Sequence, residues 1–125
     1  MRRSHQGFTL IELIVVMTII SLLLALAAPR YFHAIDKSKE TVLKATLAGT
    51  RDAIDKYHAD TSKYPDQLAD LVAKHYLRTL PFDPLTERND TWVVVPPPDA
   101  QDGMVYDINS GAEGVSSNGT TYATW

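Results

Sequence analysis

Apolar residues run almost unbroken from Phe8 to Ala28, interrupted only by Thr9, Glu12, Thr18 and Ser21. As a helix this stretch is about 31 Å long, close to the hydrocarbon thickness of a bilayer. Residues 1–7 before it are polar and carry Arg2 and Arg3. Basic residues ahead of an apolar span hold that end in the cytoplasm. Everything after Pro29 is therefore expected on the far side of a single-pass membrane segment. Pro29 lacks an N–H and crowds the carbonyl of Ala25, so a kink or local melting is expected there. Helical patterning then resumes, with Ile35, Val42, Leu43, Thr46, Leu47, Thr50, Ile54 and Tyr57 forming one stripe. Glu40–Lys44, Arg51–Asp55 and Asp52–Lys56 fall at i,i+4 spacing and are expected as ion pairs on the other face. The spacing predicts one helix from Phe8 to about His58, some 75 Å long if continuous.

The pattern breaks at His58–Pro65. Tyr64-Pro65-Asp66 reads as a second helix start with Asp66 as N-cap, and Leu68, Leu71, Val72 and His75 or Tyr76 predict a short helix near 66–76. Leu80 to Thr86 is punctuated by Pro81 and Pro84 and reads as an ordered loop. Thr91–Val95 and Met104–Ile108 are strand candidates. Asn118-Gly119 suggests a tight turn, with Thr120–Ala123 a weak last strand. Helices first and a small antiparallel sheet afterwards predict an α+β head packed on the long helix.

Composition narrows the function. Of 125 residues, 12 are basic and 15 acidic, giving a net charge of −3. Losing Arg2 and Arg3 makes the balance −5, which argues against a nucleic-acid partner. No cysteine is present, so neither a disulfide framework nor a thiolate metal site can form. The sequence contains no nucleophile elbow, phosphate loop, zinc-protease motif or dinucleotide fingerprint, and no enzyme is expected. His58, Asp55 and Asp60 are the nearest approach to an acid–base cluster, and a charged helix end of this kind reads as solvated surface.

Glu12 decides how the apolar segment is understood. An ordinary secretory signal would also have a basic start, and Ala25-Leu26-Ala27 matches a small-x-small cleavage site. Neither such a signal nor a plain anchor gains anything from a carboxylate early in the apolar run. On insertion scales a charge at the bilayer centre costs about 2.5–3.5 kcal/mol, less near an interface. A carboxylate kept there implies a partner acquired when subunits meet.

Gly7-Phe8-Thr9-Leu10-Ile11-Glu12-Leu13 after a short basic leader resembles the signal of type IV pilins and type II secretion pseudopilins. The resemblance implies cleavage between Gly7 and Phe8 by a prepilin peptidase, N-methylation of Phe8, and Glu12 as the filament-assembly residue. Residues 1–7 are then a removed leader, 8–29 a transmembrane and filament-core helix, and 30–125 a periplasmic head that includes the rest of the helix. Cleavage would free an α-amino group titrating near about 8. Pairing with the Glu12 carboxylate of an incoming subunit would neutralise both charges in an apolar core.

Tyr64-Pro65, Leu80-Pro81, Asp83-Pro84, Trp92, Tyr106-Asp107 and Asn109-Ser110-Gly111 are similar to the G-type major pseudopilins. This resemblance implies a structural subunit of a short periplasmic filament. Its partners would be further copies of itself, other pseudopilins, the peptidase and the inner-membrane assembly platform. A pilin or minor pilin of an adhesion, motility or DNA-uptake system is the alternative. The G-type resemblance also brings a calcium ion in the C-terminal loop, held by carboxylates and carbonyls. Glu113 stands at the first acidic ligand position, while the second falls near Thr121, which has no carboxylate. Calcium takes six to eight oxygens with negative charge among them. Asp99, Asp102 and Asp107 have no spacing that supplies the deficit. The expectation is therefore a loop held by its own Ser, Thr and Asn hydrogen bonds, with no metal and no cofactor.

Overall fold

The computed structural model describes residues 7–125; residues 1–6, and with them most of the expected leader and both Arg2 and Arg3, lie outside the described residues. Helix α1, Leu10–Thr61, runs through Pro29 and remains helical there. The chain divides into two compact units, one ending at Ile35 and the other spanning Asp36–Trp125.

In the first unit the large apolar side chains are exposed. Fourteen of them lie between Phe8 and Leu26, with exposures from 46 % at Ile20 to 89 % at Phe8. Soluble monomers rarely leave more than a few hundred Å² of contiguous apolar surface uncovered. This segment, with a mean hydropathy of 2.8 over its most apolar window, is long and apolar enough to cross a membrane. Its internal hydroxyls return to the helix, Thr18 to the Ile14 carbonyl and Ser21 to the Met17 carbonyl, each at 2.7 Å. Bonded in this way, they present little unsatisfied polarity to an apolar surrounding.

In the second unit α1 buries Glu40, Leu43, Leu47, Thr50, Ala53 and Ile54. The stripe is narrower than expected. Val42 is half exposed, and Ala53 takes a place in the core. Leu71, Trp92, Val105, Ile108, Ala112 and Tyr122 complete the core. Helix α2 is Leu68–Ala73, shorter than the expected 66–76. Its cap is Gln67 rather than Asp66, because the Asp70 carboxylate reaches back to the N–H groups of both Asp66 and Gln67. The helix ends where His75 enters the left-handed region at φ 65°. The N–H of Tyr76 then returns to the Leu71 carbonyl and that of His75 to Val72, a Schellman closure.

The sheet has two antiparallel strands, β1 Val93–Val95 and β2 Asp107–Asn109, with Val94 opposite Ile108. β2 therefore lies further along the chain than Met104–Ile108, because the segment before it is diverted. The N–H groups of Met104 and Val105 both go to the Pro65 carbonyl. The expected last strand is reduced to one bridge between Val115 and Thr121, after which Tyr122–Thr124 form a 3₁₀ turn. The Asn118-Gly119 turn does form, with Gly119 at φ 87° and its N–H on the Ser116 carbonyl.

The proline-punctuated loop is fixed by a residue that sequence spacing does not single out. Asp83 is fully buried. One carboxylate oxygen accepts the Leu85 N–H at 2.8 Å and the other accepts the Ser110 hydroxyl at 2.7 Å. Trp92 anchors the same loop by donating its indole N–H to the Pro81 carbonyl at 2.8 Å.

Candidate assembly site

Thr9 and Glu12 open α1 as a reciprocal pair. The Glu12 N–H donates to the Thr9 hydroxyl at 3.1 Å, and the Thr9 N–H donates to Glu12 Oε2 at 3.3 Å. This is the Thr-x-x-Glu capping box, which satisfies two of the donors that every helix start leaves unpaired. The carboxylate also sits in the first turn, where the helix dipole favours negative charge. Glu12 thus has a local role at the helix start, and no basic group bridges to it among the described residues. Phe8 is almost fully exposed, and a side chain added at Gly7 would meet nothing within 4 Å. Among the described residues nothing demands a glycine at position 7. Pro29 lies exposed on α1.

A second constellation joins α1 to the C-terminal loop. Glu40, expected as a surface partner of Lys44, is instead buried. Its Oε1 accepts the Ser117 N–H at 2.8 Å and the Tyr122 hydroxyl at 2.7 Å. Oε2 accepts the Ser117 hydroxyl at 2.7 Å. The Ser117 and Tyr122 hydroxyls hold the Glu40 carboxyl below the usual glutamate range, against the opposing effect of burial. Burial first, and then the bond to Glu40, push the Tyr122 hydroxyl up to about 12. Lys44 lies over the Trp125 ring at 4.6 Å from its centroid.

Arg51 departs from expectation in the same direction. Rather than Asp55, it meets Asp107 with Nε at 2.7 Å from Oδ1, and its Nη2 donates to the Ile108 carbonyl at 2.9 Å. Of the three expected i,i+4 pairs, Asp52–Lys56 alone forms, at 2.8 Å. The displaced pairs have a common reason. Exposed i,i+4 pairs are worth a few tenths of a kcal/mol, less than charge-assisted bonds to a strand or a half-buried loop. The buried positions 40, 43, 47, 50 and 54 recur at helical spacing, so the stripe itself carried the signal for Glu40.

The other candidate groups disperse. His58 stacks on Tyr64 at 4.2 Å between ring centroids, whereas Asp60 accepts the Tyr76 hydroxyl at 2.6 Å. Glu113 is exposed. Asp99 accepts the Gln101 N–H, Asp102 accepts the Tyr64 N–H on its backbone carbonyl, and Asp107 is held by Arg51. Among the described residues no three His, Asp or Glu side chains converge as metal ligands would.

Comparison with known proteins bears on both ends of the chain. Residues 2–28 match the prokaryotic N-terminal methylation motif. The chain is 36 % identical over 99 residues to the type II secretion system core protein G of Pseudomonas aeruginosa, covering 66 % of this chain and 70 % of that protein. To the protein of the same name from Klebsiella michiganensis it is 29 % identical over 140 aligned positions, covering 99 % and 95 %. The type IV major alpha-pilin of Moraxella bovis is 44 % identical over 52 residues, 42 % of this chain and 33 % of that pilin. The pilin likeness is short, and the core protein G likeness extends through the head. No solved structure matches.

Proposed function

The chain belongs to the type II secretion system core protein G family, the major pseudopilins, and from that premise we propose how its parts work. It is a structural subunit. Its apolar helix and its family are consistent with anchoring in the inner membrane. In the proposal, Arg2 and Arg3 hold the leader in the cytoplasm while the head from residue 30 onward faces the periplasm. Prepilin peptidase cuts between Gly7 and Phe8 and Phe8 is N-methylated, which agrees with a glycine that the fold does not require and with the methylation motif over residues 2–28.

Subunits then leave the membrane for a short periplasmic filament, with segment 8–29 forming its core. The observation that carries this reading is the uncovered apolar surface between Phe8 and Leu26. In the membrane lipid covers it, and in the filament the same segments of neighbouring copies do. Glu12 pairs with the Phe8 amine of a neighbour. Two charges are thereby neutralised in a low-dielectric core, and the axial position of the incoming subunit is fixed. Pro29, with no N–H to give the Ala25 carbonyl, is where the helix bends as it is extracted. The assembly platform and other pseudopilins are the partners in this step.

Deleting the gene in its own host tests the role. Loss of exoprotein release, with motility and DNA uptake intact, is expected. Normal secretion together with lost surface motility would overturn the secretion role in favour of a pilus.

A further inference from the structure

The family resemblance brings calcium to the C-terminal loop, and the donor set of this loop does not fit it. A calcium site turns oxygen lone pairs inward, six to eight of them at about 2.3–2.6 Å. Here the groups turned toward the centre are hydrogen-bond donors: the Ser117 N–H, the Ser117 hydroxyl and the Tyr122 hydroxyl. What they surround is an anion, the carboxylate of Glu40. Several of the loop's own oxygens are already engaged. Asn118 Oδ1 accepts from the hydroxyls of Ser116 and Thr120 and from the Thr120 N–H. The carbonyls of Gly114, Ser116 and Thr120 accept from Tyr122, Gly119 and Ser116. Glu113, at the first acidic ligand position, is exposed and takes no part.

We propose that Glu40 is the organising group of this loop, an internal carboxylate in place of the cation that the family resemblance implies, and that the head folds and stays folded without calcium. The contact spans 77 positions to Ser117 and 82 to Tyr122, so one side chain of α1 fixes the far end of the head. Its selectivity follows from polarity. Donors directed at a carboxylate repel a cation, and a calcium ion would have to displace these bonds before Glu40 could serve it as a ligand. This inference concerns the head alone and stands whether or not the filament role does.

The test uses the full chain in detergent micelles. Thermal unfolding is followed with 1 mM calcium chloride and with excess EGTA, beside a calcium titration by calorimetry. The midpoint is expected to differ by less than about 1 °C, without a binding isotherm. A ligand one hundred times above its Kd would raise it by roughly 10 °C or more, and a rise of that size would overturn the proposal. Hydrogen exchange over residues 114–122 supplies the second arm. Glu40→Ala is expected to speed exchange there by about ten-fold or more, the factor expected from removing a buried charged acceptor. Should Glu40→Ala fail to fold, Tyr122→Phe removes a single donor and is expected to give a smaller acceleration at the same peptides. Loop protection unchanged in both variants, or restored in Glu40→Ala by calcium, would sink the idea.

Discussion

Arg51 and Asp107 meet at 2.7 Å, with the same guanidinium also on the Ile108 carbonyl, and so tie α1 to β2. Asp52–Lys56 is as short at 2.8 Å, but both of its side chains are about two-thirds exposed and adjacent on one helix. The two pairs should differ in worth. Arg51→Ala removes an ion pair and a charge-assisted bond to a strand, and is expected to cost about 1–2 kcal/mol. Lys56→Ala is expected to stay within about 0.5 kcal/mol. Chemical denaturation of both variants checks the order, and equal losses would show that Arg51 is an ordinary surface cation.

The bond between Glu40 and Tyr122 gives the head a pH window closed at both ends. The folded pKa of Glu40 is lowered, so its contribution is complete above the ordinary value of 4.5 and is lost as pH falls through the folded value. The folded pKa of Tyr122 is raised, so its contribution is complete below 10.0 and is lost between there and about 12. Lys44 favours the Glu40 charge and Asp36 opposes ionisation of Tyr122, so neighbouring charges widen both edges. Melting profiles of the parent chain and Glu40→Gln should converge below the acid edge and separate between the two edges. Parallel profiles across the whole range would refute the linkage.

Much of this architecture is legible in residue spacing, and the exceptions share a cause. α1 is readable because a long apolar run leads up to the proline and a 3.6-residue stripe resumes beyond it. Thr9-x-x-Glu12 is a readable capping box beneath the more conspicuous question of charge. Glu40 and Arg51 are harder, since each has an oppositely charged residue four positions later. The competing partners Ser117, Tyr122 and Asp107 are 56 or more positions away, and only the folded head brings them near. The last strand fails for the same reason. Thr120–Ala123 has strand composition, but Tyr122 turns into the core to reach Glu40, leaving one bridge.

Gly111 is a packing glycine, in contrast to Gly7. A Cβ at position 111 would overlap the Thr91 carbonyl, whereas Gly49 on α1 has open space around it. Gly111→Ala is expected to destabilise the head by about 1–3 kcal/mol through overpacking. Gly49→Ala is expected to stabilise it by up to about 1 kcal/mol through helix propensity. Opposite shifts in the thermal midpoint are the expected result, and a stable Gly111→Ala would mean that the 91–111 contact can part without loss.

Thr9 and Glu12 allow the carboxylate's capping role and its proposed assembly role to be separated. Glu12→Gln keeps an oxygen that can accept the Thr9 N–H and removes only the charge. Thr9→Val keeps the charge and most of the shape, and removes the hydroxyl that accepts the Glu12 N–H. If the charge serves a neighbour's Phe8 amine, Glu12→Gln should be cleaved and membrane-inserted but yield filaments reduced by about ten-fold or more. Leaving the partner amine buried and unpaired is the costly step. Thr9→Val should lose about 1 kcal/mol of helix-start stability and keep filament yield within about two-fold. Cleaved subunit in the membrane fraction and pelleted filament are quantified together, so that a processing defect is not mistaken for an assembly defect. Equal filament losses in the two variants would assign Glu12 to the helix start, where one substitution removes the hydroxyl acceptor and the other the charge that the helix dipole favours.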